Sequence, residues 1–345
     1  MTISEEDRRR MGTVSPVLAA EVKKYPPFKH EKDVLDERRV RAEHLAKLRH
    51  LYPIPGPIPE HVSESMHHVE ARDGYQIPVK IYKPAKPPQD GASPLVVMLH
   101  EGGWAMGDLT DEDLNCRMFS RDLGAVCVNV DYRLGPEYPW PCCVWDCYDV
   151  IQWAAKTASP GRSELPADLK KGFIVGGASA GGNLSAVMCQ VGRDKGLSPP
   201  LTGQYLCVPS LLWQDVVPKE YKEDFQSRYD SGLNDPILGD LLRVTMPPNI
   251  AGEGNPDPLF SPLIHPNMKN LPPCYLQVGG LDPLRDEAII WDRVFKENGG
   301  KSRLQVYDGY GHMFWTNWPL MEQSKQFVRD TLEGFKWLLQ EGSSS

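Results

Sequence analysis

The sequence has no hydrophobic run long enough to cross a membrane and no apolar segment near its start. A membrane-spanning helix needs about 20 consecutive apolar residues, and no run in these 345 residues approaches that length. Residues 1–10 are mostly polar and charged, so they lack the apolar core of a secretory signal. We therefore expect neither a membrane span nor secretion, and we predict a cytoplasmic protein.

Long basic runs and paired cysteine motifs are also missing. The formal net charge is −8 and no basic run is longer than residues 8–10, which argues against a nucleic-acid partner. Eight cysteines in a chain of this length do not form a small disulfide scaffold. The cysteines between residues 142 and 147 lack a second pair at zinc spacing. Four others in apolar runs are predicted to be buried free thiols: Cys127, Cys189, Cys207 and Cys274.

What the chain does contain is a series of short apolar strands that alternate with helical segments. The predicted buried strands are residues 94–100, 124–130, 173–175, 202–208, 274–278 and 302–306. Residues 66–71 and 76–82 flank an Asp-Gly turn and predict a hairpin. The alternation predicts an α/β fold with a mostly parallel central sheet flanked by helices.

Two segments interrupt this alternation. Residues 1–65 are helical in pattern, with a helix predicted over 33–51 and a proline-rich connector after it, and they are interpreted as a cap arm. Residues 209–258 form a long irregular insertion, and insertions of that length inside an α/β domain are usually functional. We predict that both cap an α/β domain made of residues 66–208 and 259–345.

One serine lies in a strand–turn–helix context. The strand over residues 173–175 runs into Gly177-x-Ser179-x-Gly181, and a helix-like run follows. Glycines beside the serine let a strained turn close, and the amide of Ala180 then lies at the start of the helix. The pattern predicts a nucleophile elbow. The alternative is a tight strand–helix turn with an idle serine.

A serine nucleophile needs an imidazole base and a carboxylate that orients it. Of nine histidines, only His100 and His312 directly follow apolar strands. His312 lies on a glycine-bearing loop after the last strand and is the predicted base, whereas His100 is expected to brace a neighbouring loop. Asp282 follows strand 274–278 and is the predicted acid, and Asp286 is interpreted as a helix-start charge or ion-pair partner.

Two consecutive glycines predict an oxyanion hole. The backbone amides of Gly102 and Gly103, together with that of Ala180, provide three donors that a Cβ atom would crowd. Glu101 precedes them, and a carboxylate aimed at an oxyanion would oppose catalysis. We therefore expect Glu101 to turn away and meet a basic partner or water. A metalloprotease motif is rejected because residue 104 is Trp and not His.

Five motifs in chain order resemble the hormone-sensitive-lipase-like branch of the α/β-hydrolases. They are His-Glu-Gly-Gly-Trp at 100–104, Asp-Tyr-Arg-Leu-Gly-Pro-Glu at 131–137, Gly-Ala-Ser-Ala-Gly-Gly at 177–182, Asp-Pro-Leu-Arg-Asp at 282–286 and Gly-His-Met-Phe at 311–314. The resemblance covers residues 65–340 and implies the α/β-hydrolase fold, esterase activity and a helical lid built from the arm and the insertion. The family has a third glycine where this chain has Glu101, a variant that resembles a fungal subgroup with members in secondary metabolism.

The residues and the resemblance together predict a serine carboxylic-ester hydrolase that needs no cofactor and no metal. Ser179 attacks the ester, His312 moves the proton, Asp282 holds the imidazole, and water releases the acyl group. The expected partner is a small apolar or natural-product ester. Four aromatic residues are candidates to line its pocket, although core packing is an equal alternative for each: Trp104, Trp213, Phe314 and Trp315.

Two other functions stay open at this point. The first is a hydrolase-like enzyme that catalyses a cyclisation, an elimination or an acyl transfer in secondary metabolism. The second is a non-catalytic binding module of the gibberellin-receptor type, which keeps the fold but loses the histidine. Because His312 is present in this chain, the binding module is the less favoured alternative. A homodimer is also left open.

Overall fold

The protein is described from a computed structural model over residues 3–88, 91–239 and 257–342. Eight strands form one sheet in these residues: β1 (Val62–Glu70), β2 (Gln76–Pro84), β3 (Leu95–Leu99), β4 (Val126–Val130), β5 (Phe173–Ala178), β6 (Gly203–Cys207), β7 (Cys274–Gly279) and β8 (Ser302–Tyr307). The strand order is β1-β2-β4-β3-β5-β6-β7-β8. The pairs that involve β2 are antiparallel, and the six strands from β4 to β8 are parallel.

Helices lie before, between and after these strands. They are α1 (Glu5–Gly12), α2 (Pro16–Lys24), α3 (Val34–Leu48), α4 (Asp113–Leu123), α5 (Cys142–Thr157), α6 (Ala180–Asp194), α7 (Arg285–Glu297), α8 (Phe314–Asn317) and α9 (Glu322–Gly342). In the part of the chain that is described, every helix is too short or too polar to cross a bilayer.

Successive residues of the central strands feed two apolar cores, one on each face of the sheet. In β3, Val96 belongs to the core that contains Phe335 of α9, whereas Val97 belongs to the core that contains Leu184 of α6. This follows from the two-residue period of a strand. Both faces are covered by helices, which explains why the strand sequences are continuously apolar.

The predicted α/β fold is confirmed, and most element bounds differ from prediction by only a few residues. The elbow strand extends past the predicted residues 173–175 to Ala178, because two glycines and an alanine continue its pairing with β6. The four-residue α8 was not predicted, since so short a helix has no periodic pattern to detect. All eight cysteines, including the four predicted buried thiols, are free.

The N-terminal arm contacts both the insertion and the α/β layers. The predicted helix over 33–51 is α3 followed by a single 3₁₀ turn, and the Asp33 carboxylate caps it by accepting from Leu35 N at 2.9 Å. His30 Nε2 lies 2.6 Å from the carbonyl oxygen of Ile237 in the insertion. The described part of the insertion contains short 3₁₀ turns, and its residues 240–256 lie outside the described residues. The division into arm, insertion and α/β domain stays a prediction.

Candidate active site

Ser179 lies in the turn between β5 and α6, with φ of 54° and ψ of −113°. Positive φ is uncommon for a residue with a Cβ atom, and it persists only where the surroundings enforce it. The surroundings here are close: a Cβ atom added to Gly177 would lie 2.1 Å from Leu99 O, and one added to Gly181 would lie 1.9 Å from the same atom. The turn therefore requires both glycines, and it has the strand–turn–helix geometry that the sequence predicts.

His312 and Asp282 are brought together by neighbouring loops. Asp282 follows β7 and His312 follows β8, and these strands pair in parallel, so their carboxyl ends lie side by side. His312 Nδ1 lies 2.8 Å from Asp282 Oδ2. The other oxygen of Asp282 accepts from Leu284 N at 2.8 Å, which fixes the carboxylate.

Charge determines the protonation of His312. Burial alone lowers the pKa of the imidazole, but the Asp282 carboxylate, through its charge and its hydrogen bond, raises it. The net effect is a pKa above the ordinary value. The carboxylate thus favours the protonated imidazole, which is the form that a base reaches after it has taken a proton.

Ser179 and His312 line the same cavity, which has a volume of about 260 Å³. Gly102, Gly103 and Ala180, the three predicted amide donors, line it too. Gly102 has φ of 118° and Gly103 has φ of 60°, a backbone region that favours glycine. The structure thus gathers the predicted nucleophile, base and amide donors around one space.

His100 does not line this cavity but supports the loop that does. Its Nδ1 lies 2.8 Å from Glu101 O, and its ring stacks on Tyr132 at 4.1 Å between centroids. The Tyr132 hydroxyl donates to His100 O at 2.7 Å. The expectation that His100 braces the glycine loop is confirmed by these contacts.

Glu101 meets the basic partner that was expected. Its Oε1 accepts from Arg41 Nη2 at 2.7 Å, and Arg41 Nη1 donates to Asp111 at 3.0 Å. Burial, and then repulsion from Asp111, raise the pKa of Glu101 to about 7. The partner comes from α3 in the arm, a long-range contact for which the sequence holds no signal.

Two of the four candidate pocket aromatics line the cavity. Trp104 and Trp213 do so, and each packs against Phe260, at 4.9 and 5.5 Å between ring centroids. Together they give the cavity an apolar wall.

Phe314 and Trp315, the other two candidates, lie instead in the core. Phe314 is fully buried, and Trp315 stacks on Phe327 of α9 with ring centroids 3.8 Å apart. The reason is α8, which turns the chain after His312 towards α9 and directs both rings into that packing.

Asp235 is a carboxylate that sequence reasoning missed. Its Oδ2 accepts from the backbone N of His312, and its Oδ1 accepts from Ile237 N and Leu238 N at 2.8 and 2.7 Å. Burial, and then repulsion from Asp282, raise the pKa of Asp235 to about 7. The Asn-Asp-Pro sequence around it indicates only a turn, so nothing in the pattern points to the base.

Comparison with known proteins places the chain among enzymes of related fold. A family model for the α/β hydrolase fold matches residues 96–316. An AB hydrolase superfamily protein of Schizosaccharomyces pombe is 34% identical over 94% of each chain. Versiconal hemiacetal acetate esterase of Dothistroma septosporum is 30% identical over 87% of this chain and 88% of its own. The crystal structure of vibralactone cyclase superposes with a TM-score of 0.88 at 29% identity, covering 99% of this chain and 98% of that one.

Proposed function

Because this chain belongs to the α/β-hydrolases, in their hormone-sensitive-lipase-like branch, and is esterase-like, we propose that it is a serine carboxylic-ester hydrolase acting through Ser179, His312 and Asp282. The observation that carries the proposal is the 2.8 Å contact between His312 and Asp282 beside a cavity that Ser179 also lines. Ser179 has the strained turn that exposes a nucleophile.

Each residue has a defined role in this proposal. His312 takes the proton of Ser179 as the hydroxyl attacks the ester carbonyl, and Asp282 stabilises the imidazolium that forms. The amides of Gly102, Gly103 and Ala180 bind the tetrahedral oxyanion. His312 then gives its proton to the leaving alcohol. In the second half of the reaction water attacks the acyl group while His312 takes a proton from the water, and His312 returns that proton to Ser179 as the acid leaves.

The substrate we propose is a small apolar or natural-product ester. The aromatic wall of Trp104 and Trp213 suits an apolar acyl or ring system. One relative is named for a hemiacetal acetate, which favours a short acyl group as the first to test. We also propose that the arm (1–65) and the insertion (209–258) cap the cavity, because Phe28 of the arm and Ile237 of the insertion line it. For the location we propose the cytoplasm.

The test is hydrolysis of short p-nitrophenyl esters by the wild type and by Ser179→Ala. We expect turnover in the wild type and a loss of about 10³-fold or more in kcat for the variant, since the nucleophile is removed. Ser185→Ala is the matched control and should retain activity. Ser185 is a buried serine of α6, the helix that begins directly after Ser179, and it donates to Gly181 O. Retained turnover in Ser179→Ala would refute the proposal.

A second candidate is an intramolecular cyclisation, favoured by the overlap with vibralactone cyclase. In such a cyclisation a hydroxyl of the substrate, and not water, attacks the acyl group held on Ser179. His312 takes the proton of that hydroxyl and returns it to Ser179 as the bond between the acyl group and Ser179 breaks. Product analysis with a hydroxyacyl thioester or aryl ester separates the two. A lactone as the main product would favour cyclisation, and the free hydroxy acid would favour hydrolysis.

A further inference from the structure

We propose that the cavity selects esters that carry a second, anionic group, a carboxylate, and that Arg228 binds this group. The inference rests on the proposed ester chemistry and adds the class of substrate to it. Arg228 comes from the insertion and lines the same cavity as Ser179.

The guanidinium of Arg228 is held in a fixed position. Its Nε donates to Glu287 Oε1 at 3.0 Å, and its Nη2 donates to the same oxygen. Glu287 Oε2 accepts from Leu211 N and Leu212 N at 2.6 and 2.8 Å. Glu287 therefore contacts only the Nε and Nη2 edge of the guanidinium, and its other oxygen is held by backbone amides.

The remaining nitrogen of Arg228 is available. Among the described residues Nη1 has no hydrogen-bond acceptor, and this nitrogen is not completely buried. The guanidinium carbon lies 5.2 Å from the centre of the Trp213 ring, on the wall of the cavity. A preorganised guanidinium with a free N–H group suits a carboxylate oxygen, to which it makes a charge-assisted bond.

The other Arg and Lys side chains that line the cavity, Arg41 and Lys32, do not compete for this role. Arg41 already has one Nη on Glu101 and the other on Asp111. Glu31 and Lys32 are exposed and opposite in charge. Arg228 is nearly fully buried, and burying an ion pair costs free energy that an apolar pair avoids. Binding of a ligand by the free N–H group would explain why a buried ion pair is present at this position.

The experiment compares matched p-nitrophenyl esters on the wild type. One series has a free terminal carboxylate (hemisuccinate, hemiglutarate, hemiadipate), and the other has the same chain as a neutral methyl ester. We expect at least one carboxylate ester to exceed its neutral partner in kcat/KM by about tenfold or more, the worth of one charge-assisted hydrogen bond. Equal rates in all three pairs would overturn the proposal.

Two variants assign the preference to Arg228. Arg228→Gln combined with Glu287→Gln removes both charges without leaving a buried carboxylate unpaired, and we expect the ratio of carboxylate to neutral ester to fall about tenfold. The control is Arg293→Gln, which removes an arginine that also joins α7 to the insertion, through Asp224 at 2.6 Å, but does not line the cavity. Its ratio should equal that of the wild type. A ratio that the double variant leaves unchanged would contradict the assignment.

A binding measurement separates this proposal from the ester chemistry. Ser179→Ala is titrated calorimetrically with the monoamides of succinate, glutarate and adipate and with the methyl ester of each. Tighter binding of the carboxylate by about tenfold, lost when Arg228 is also replaced, supports anion recognition even if no ester is turned over. Equal affinity for the carboxylate and its methyl ester in all three pairs overturns it even if neutral esters are good substrates.

Discussion

At the scale of single residues, three carboxylates surround His312. Asp282 bonds its ring, Asp235 accepts from its backbone N, and Glu101 contributes through its charge. Burial lowers the pKa of the imidazole, but these charges, led by Asp282, raise it above the ordinary value. A base with a raised pKa is already protonated at a pH where an exposed histidine is neutral. Activity should therefore decline on the acid side at a higher pH than an unperturbed histidine would give.

Replacing Asp282 by Asn should shift the pH at which activity declines on the acid side, and it should reduce the rate. Without the carboxylate the pKa of His312 falls, so the acid limb of kcat/KM shifts to lower pH. The rate itself should drop by about 10⁴-fold, as the same substitution does in a Ser-His-Asp protease. A pH–rate profile with a neutral p-nitrophenyl ester measures both effects.

Asp286→Asn is the matched control for that experiment. Asp286 is an equally buried carboxylate nearby in the chain, and it pairs with Arg285 and accepts from Ser227 N. Its variant should keep the midpoint of the wild-type acid limb. An unshifted midpoint in Asp282→Asn, or a shifted one in Asp286→Asn, would contradict the assignment of the acid.

Glu101 makes a separate prediction about stability. Its pKa is about 7 in the folded protein, against an ordinary value of 4.5. The native state therefore holds this proton more tightly than the unfolded chain. The contribution of Glu101 to stability is lost as the pH rises from 4.5 to about 7. Glu101→Gln cannot ionise. The free energy of unfolding of the variant, relative to wild type, should rise by about 2 kcal/mol between about pH 5 and about pH 8.

Urea unfolding at the two pH values measures this change. The loss of the contact with Arg41 affects the variant at both values, so only the difference between them reports the ionisation. Glu164→Gln, which changes a carboxylate at the surface beside His67, provides the control and should give little difference. A stability difference for Glu101→Gln that is independent of pH would rule out the ionisation described here.

At the scale of elements, the close approach of α6 to β3 constrains the elbow. A Cβ atom at Gly181 would lie 1.9 Å from Leu99 O, and backbone on both sides leaves little room to move. Gly181→Ala should therefore lower the free energy of unfolding by about 3 kcal/mol or more. Gly161→Ala is the control, because a Cβ atom there meets nothing within 4 Å, and it should change stability by less than about 1 kcal/mol. Similar unfolding midpoints for the two variants would show that the elbow tolerates a side chain.

Elements with a strong local pattern were predictable. The strand β3 is predicted because a parallel strand covered on both faces must be apolar throughout, and α3 is predicted because its apolar residues recur at helical spacing. The short helix α8 has neither signal. Its omission explains why Phe314 and Trp315 were expected at the pocket, although they pack in the core.

At the scale of the whole molecule, the site depends on contacts between distant parts of the chain. Arg41 of the arm meets Glu101, which is 60 residues away, and Asp235 of the insertion meets His312, which is 77 residues away. The sequence predicts Ser179, Asp282 and His312 because each directly follows a recognisable strand. No comparable pattern marks Arg41, Asp235 or Arg228, whose partners are determined only by tertiary packing.

Covalent labelling tests whether Ser179 is a nucleophile activated by His312, the proposal on which the other assignments depend. The protein is incubated with a fluorophosphonate, and the adduct is located by peptide mass spectrometry. We expect one adduct, on Ser179, that forms much more slowly in His312→Ala and is absent from Ser179→Ala. An adduct on another residue, or labelling of Ser179 at an unchanged rate in His312→Ala, would contradict it.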